Sequence, residues 1–220
     1  MKVAKKVLNQ INQLTTDLVK MALCDDQNFP VLNGSLQNRC CVEYSNIVVS
    51  GALKNRPYHE FYREIDSTRN FNLKLLDGAL VQLHYAFENN SLVSHRLGYF
   101  PNPNTVDFQN DPEMYLEDDI YLDVVDQRIV VTPMRFDYDI RDDVMKNIEH
   151  PMSHLTIGQY ENCRIPVVRP LTPSQFICFI IRNFYNTALK KTYIELQSSN
   201  FSFESTITSD EKKIIHIGIY

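Results

Sequence analysis

The sequence predicts an α+β protein: an antiparallel sheet, with a meander over about 69–100 and a further strand over about 128–140, packed against a buried helix over about 173–191. An amphipathic helix precedes them at the N-terminus. Three observations carry this. Apolar residues recur at three- and four-residue steps through 3–22. Period-two alternation punctuated by turn pairs runs through 69–100. A helix-start signature stands at Thr172-Pro173-Ser174-Gln175.

In the first segment Val3, Val7, Ile11, Leu14, Leu18 and Ala22 form the apolar stripe, widened by Leu8 and Val19, while Lys5, Lys6, Gln10, Gln13, Asp17 and Lys20 take the other face. This is the pattern of a helix packed on a core; docking a partner is the alternative use. Residues 25–40 are polar and carry Pro30 and Asn33-Gly34, so they read as turns. Glu43 to Ser50, Tyr58 to Ile65 and Arg69 to Leu76 are rich in β-branched and aromatic residues and read as strands. Asp77-Gly78 suits a tight turn into Leu80–Glu88, and Asn89-Asn90 leads into Leu92–Phe100. Alternation then places Leu83, Tyr85 and Phe87 on one face, and Gln82, His84 and Ala86 on the other.

Asp111-Pro112-Glu113 reads as a helix start, followed by seven acidic and no basic residues from Asp111 to Asp126. That run is a solvated face or an acidic docking surface. From 127 to 140, Met134, Phe136 and Tyr138 alternate with Arg135, Asp137 and Asp139. The helix opened at Thr172 is apolar nearly all round, which places Phe179 and Phe184 in the core, and Lys190 and Lys191 sit at its negative end.

A chain of 220 residues suits one domain, taken as 1–220, and can bury a core without disulfides. The longest apolar run, Phe176 to Ile181, is six residues, far short of a membrane span, and Met1 to Lys6 lacks a signal-peptide core, so a cytoplasmic location is expected. Five cysteines without a CxxC pair read as reduced, mostly buried thiols. A net charge of −5 argues against a general nucleic-acid binder. The six glycines form no dinucleotide, phosphate-loop or nucleophile-elbow motif, which removes those folds.

The polar segment from Arg135 to Arg164 carries the candidate chemistry. On a strand, Arg135, Asp137 and Asp139 share a face. They could hold a divalent metal at Asp137 and Asp139, position a phosphate, or merely pair with one another; no other cofactor is expected. His150-Pro151-Met152-Ser153-His154 places two imidazoles close in sequence. Pro151 makes a turn there and spoils the helical spacing of a zinc pair. Two imidazoles can instead act as acid and base on a phosphodiester, with Arg164 as the phosphate clamp; fixing a buried turn is the structural alternative. His84 and His95, with Arg96, are expected to share the face of Arg135 and Asp137.

Several segments together resemble the bacterial family of the domain of unknown function 2290. They are Asp77-Gly78 with Val81-Gln82-Leu83-His84-Tyr85, His95-Arg96-Leu97-Gly98-Tyr99 with Pro101 and Pro103, Arg135-Phe136-Asp137, His150-Pro151 with Ser153-His154-Leu155, Arg164-Ile165-Pro166, and Pro170 through Tyr185. The resemblance assigns no residue a role. It implies a bacterial, cytosolic protein of the sort found in defence or conflict cassettes beside an ATPase or nuclease. Two functional readings follow. The favoured one is a partner-binding component of a bacterial multi-protein antiphage system, docking another protein subunit and no membrane. The alternative is a phosphodiesterase or RNase-like effector: His150, His154, Asp137 and Asp139 as catalytic groups, Arg135 and Arg164 holding substrate.

Overall fold

The structure, a computed structural model, describes residues 2–44, 56–104, 132–141, 143–160, 162–191 and 201–219. The expected acidic helix at 111–126 and the 128–131 part of the expected strand lie outside them, as do residues 45–50.

The meander forms as its turn chemistry dictates. β4 (Leu73–Leu75), β5 (Leu80–Glu88) and β6 (Ser91–Phe100) run antiparallel. Gly78 supplies the turn between β4 and β5 with φ +81°, a region costly for any residue with a Cβ. β7 (Met134–Asp139), β8 (Ser153–Ile157) and β9 (Ile165–Pro166) extend the sheet from β6, each antiparallel to the last. On the far side β5 is shared. Its first half pairs β4, which pairs β1 (Cys24–Gln27); its second half pairs β3 (Arg39–Glu43), which pairs β2 (Val31–Gly34).

Helix α1 (Val3–Lys20) buries Ala4, Val7, Ile11, Leu14 and Leu18 against one face of this sheet, so its apolar stripe is structural. α3 (Pro173–Phe184) packs beside it, started by the expected capping box: Thr172 Oγ1 accepts from the Gln175 amide and the Thr172 amide donates to Gln175 Oε1. The core between holds Leu83, Tyr85, Phe87, Leu97, Phe136, Phe176, Ile177 and Ile180. On the opposite face, among the described residues, α2 (Tyr58–Ser67) covers one end, packing Phe61, Tyr62 and Ile65 on Leu80 and Phe100.

Five expectations are corrected. Tyr58–Ile65 is helical, not a strand: its aromatics give β propensity, but Phe61, Tyr62 and Ile65 recur at helical spacing and all are buried on one stripe. Residues 25–40 hold β1, β2 and the start of β3, because short, half-exposed edge strands need little apolar content once a neighbour supplies the hydrogen bonds. The helix expected over 173–191 breaks at Tyr185 (φ −135°, ψ 41°) and resumes as α4 (Asn186–Lys191). There the buried phenol donates to Asp77 Oδ2 at 2.7 Å, a tertiary bond no helical pattern reveals. Phe179 and Phe184 are half-buried at the rim, against Phe136 and Tyr99, while Phe176 is fully enclosed. The cysteines are free, but Cys40 alone is buried and the other four are half-buried.

Candidate functional site: a polar row beneath an arginine-lined cleft

Beyond α2, the second sheet face carries charge where the first carries core. Pairing His84 with Arg96, Arg96 with Asp137, and Asp137 with His154 sets one residue from each of β5, β6, β7 and β8 in a single row. Glu43 on β3 continues it, 3.0 Å from His84 Nε2. Because strands alternate faces, the neighbours of this row (Val42, Tyr85, Leu97, Phe136, Leu155) are core residues that pin it from below. His95 belongs with them: it is buried on the core side, where its Nε2 accepts from the Leu171 amide at 3.2 Å. The expectation that His84, His95 and Arg96 share a face is therefore corrected, since residues 95 and 96 of one strand cannot.

Above the row lies a cleft of about 410 Å³, within the size range of small-molecule sites. All six of the residues singled out on the sequence line it: Arg135, Asp137, Asp139, His150, His154 and Arg164. The sequence reading passed over Glu43 and Arg141, which line it too. Glu43 could have been found from its period-two relation to the buried Val42, once the strand was placed.

Asp137 is the hub. Its Oδ2 accepts from Arg135 Nε at 2.5 Å and its Oδ1 from Arg96 Nε at 3.3 Å. Burial alone would push its carboxyl up, but the two guanidiniums outweigh that and hold it below the usual carboxylate range. Asp139 is clasped by Arg141 through both side-chain oxygens, and against the upward push of its burial this pairing holds it low. Both carboxylates are thus ionised and already engaged by arginine, the arrangement of structural charge pairs more than of hard-metal ligands.

His154 sits beside the hub with Nε2 3.9 Å from Asp137 Oδ2. Its Nδ1 lies 2.9 Å from the Pro151 carbonyl, which can only accept, so Nδ1 carries the proton and Nε2 keeps its lone pair. Burial pulls its pKa down to about 4, overcoming the attraction of Asp137, and His150 and Arg164 push it further the same way. His150 stands edge-on to it, ring centroids 5.0 Å apart. The pair is held by a turn and the entry to β8, not by a helix, as Pro151 required. Four arginines (Arg96, Arg135, Arg141, Arg164) face three carboxylates (Glu43, Asp137, Asp139) in the cleft. Among the described residues, Arg164 has no carboxylate partner.

Fold and site together define an α+β protein whose antiparallel sheet bears, among the described residues, a cleft lined by arginines and histidines. The chain belongs to the family described as uncharacterized conserved protein (DUF2290), whose model matches residues 23–219. No curated protein and no solved structure matches it. Among the described residues, no helix is long and apolar enough to cross a membrane.

Proposed function

We propose that this protein acts on a phosphodiester, with single-stranded RNA as the substrate class. The observation that carries the reading is His154, fixed with a bare Nε2 beside Asp137 in a cleft where Arg164 has no carboxylate partner among the described residues. A ribose phosphodiester brings its own nucleophile, the 2′-hydroxyl, and requires three things: a proton acceptor, a proton donor and a cation on the phosphate. His154 Nε2 is the acceptor, His150 the donor to the leaving oxygen, and Arg164 the clamp. The Pro151 carbonyl, accepting from Nδ1, orients the imidazole, and the nearby Asp137 charge stabilises the imidazolium as it forms. A phosphate arriving between Arg164 and His154 adds negative charge beside the ring, which raises its basicity from the low value set by burial toward the working pH. Arg135 and Arg96 hold Asp137 ionised and in place.

The rival reading, a docking subunit of a defence complex steered by the acidic run from Asp111 to Asp126, draws on residues outside those described. The fold adds no observation to it, whereas the convergence of the six sequence-marked residues supports catalysis. The test is cleavage of a single-stranded RNA oligonucleotide by purified protein, with a deoxy oligonucleotide as control. Cleavage of RNA alone, leaving 2′,3′-cyclic phosphate ends and falling about 10²- to 10⁴-fold in His154→Ala, is expected. An inactive wild type, or activity unchanged in His154→Ala, would overturn the reading.

A further inference from the structure

At the β3 end of the polar row a second cluster stands apart from the histidine pair. Cys41 and Glu43 are two residues apart on β3 and so share a face, with Cys40 and Val42 anchored in the core between and beside them. His84 reaches them from β5. One donor atom from each of the three lies within 4.8 Å of the others. We propose that Cys41, Glu43 and His84 bind a divalent cation of the zinc class, and that this ion opens onto the cleft.

The donor set selects the ion. Thiolate, imidazole and carboxylate together are the ligands of Zn²⁺; magnesium and calcium prefer oxygen alone. The geometry fits as well. Bonds of about 2.0–2.3 Å at tetrahedral angles set neighbouring donors roughly 3.3–3.7 Å apart. His84 Nε2 and Glu43 Oε2 already stand 3.0 Å apart, so a small parting of that pair admits the ion. Asn33 Nδ2 donates to Glu43 Oε1 at 2.8 Å and turns the other oxygen toward His84, the supporting bond that orients a ligating carboxylate. All three ligands sit on paired strands rather than on a loop.

Among the described residues three protein ligands leave a fourth position open, the mark of a working site rather than a structural one. Glu43 and His84 both line the cleft. The open position would therefore take a phosphate oxygen or a water near Arg96, at the opposite end of the row from His154. Zinc-class ions take cysteine as the thiolate, so binding releases the Cys41 proton. The site stands on its own geometry; only the role of the ion in polarising a phosphate rests on the phosphodiester reading.

The test uses Co²⁺ as a spectroscopic probe on metal-free, full-length protein. A thiolate-to-cobalt charge-transfer band with tetrahedral d–d intensity, displaced by Zn²⁺, is expected at one equivalent. Cys41→Ser should abolish the charge-transfer band, and Asn33→Ala should weaken cobalt affinity about 10- to 100-fold by releasing the carboxylate. His216→Ala, on the exposed C-terminal segment, should leave both unchanged; circular dichroism confirms that each variant folds. No thiolate band in wild type, or a band that survives Cys41→Ser, overturns the proposal. Should Cys41→Ser not fold, Glu43→Gln and His84→Ala decide by the same loss of affinity. RNA cleavage without a cobalt band would sink the metal site and leave the phosphodiester reading. A cobalt band without cleavage would do the reverse.

Discussion

Acid should unfold this protein through two buried rings. His95 and His154 are 3% and 5% exposed, and burial holds each pKa at about 4 against an ordinary 6.5. The unfolded chain therefore takes up these protons near pH 6.5, while the folded chain refuses them until about pH 4. Their contribution is intact above the higher value and is lost as pH falls through the window between. At about 1.36 kcal/mol per pH unit for a fully titrating group, each ring removes about 2 kcal/mol of stability between pH 7 and pH 5. Asp137 and Asp139, held low, take no part in this window. Asp77, raised by burial, works in the opposite sense, so single variants isolate each ring. Asn at 154 can keep the donor to Pro151, and Gln at 95 can keep the acceptor for the Leu171 amide. Urea melts of wild type, His154→Asn and His95→Gln at pH 7 and pH 5 make the measurement. Each variant should lose about 2 kcal/mol less on acidification than wild type does. A wild type and His154→Asn with the same pH 7 to pH 5 difference would refute the burial argument for that ring.

Two further perturbations probe the scaffold. A methyl at Gly98 would run into the Phe100 ring, and that ring is packed edge-on to Phe61 at 5.3 Å with little room to move. Gly98→Ala should cost about 1–3 kcal/mol in a denaturant melt, and a neutral result would mean the α2 cap on the sheet is loose. Phe176→Ala, at a fully enclosed ring, should cost about 3–5 kcal/mol, and Phe179→Ala distinctly less; equal losses would contradict their difference in burial.

The family resemblance was legible because it lies in the order of short segments along the chain, all of them within the matched residues 23–219. The candidate site was half legible. Arg135, Asp137 and Asp139 could be placed on one face because they belong to one strand, where period two decides orientation. His150 and His154 could be placed near each other because four residues cannot separate far. Arg96, His84 and Glu43 could not be joined to them with the same force, since that needs the register between strands.

What the sequence determined by itself is local: the stripe of α1, the turn at Gly78, the capping box at Thr172, and the alternation that separates Leu83, Tyr85 and Phe87 from Gln82, His84 and Ala86. Each rests on residues a few positions apart, whose geometry the backbone fixes. Only the tertiary structure decided the rest. It made 58–67 a helix by giving Phe61, Tyr62 and Ile65 a sheet end to cover. It turned the chain at Tyr185 for a phenol bond to Asp77, 108 residues away. By setting β3, β5, β6, β7 and β8 in register, it also drew Glu43, His84, Arg96, Asp137 and His154 into one row. Those pairings close loops of very different length for little difference in chain entropy, so sequence separation alone cannot rank them. The choice falls to the packing of the opposite face, where Tyr85, Leu97 and Phe136 fit the helices in only one register, because a slip of a single residue would put charge in the core.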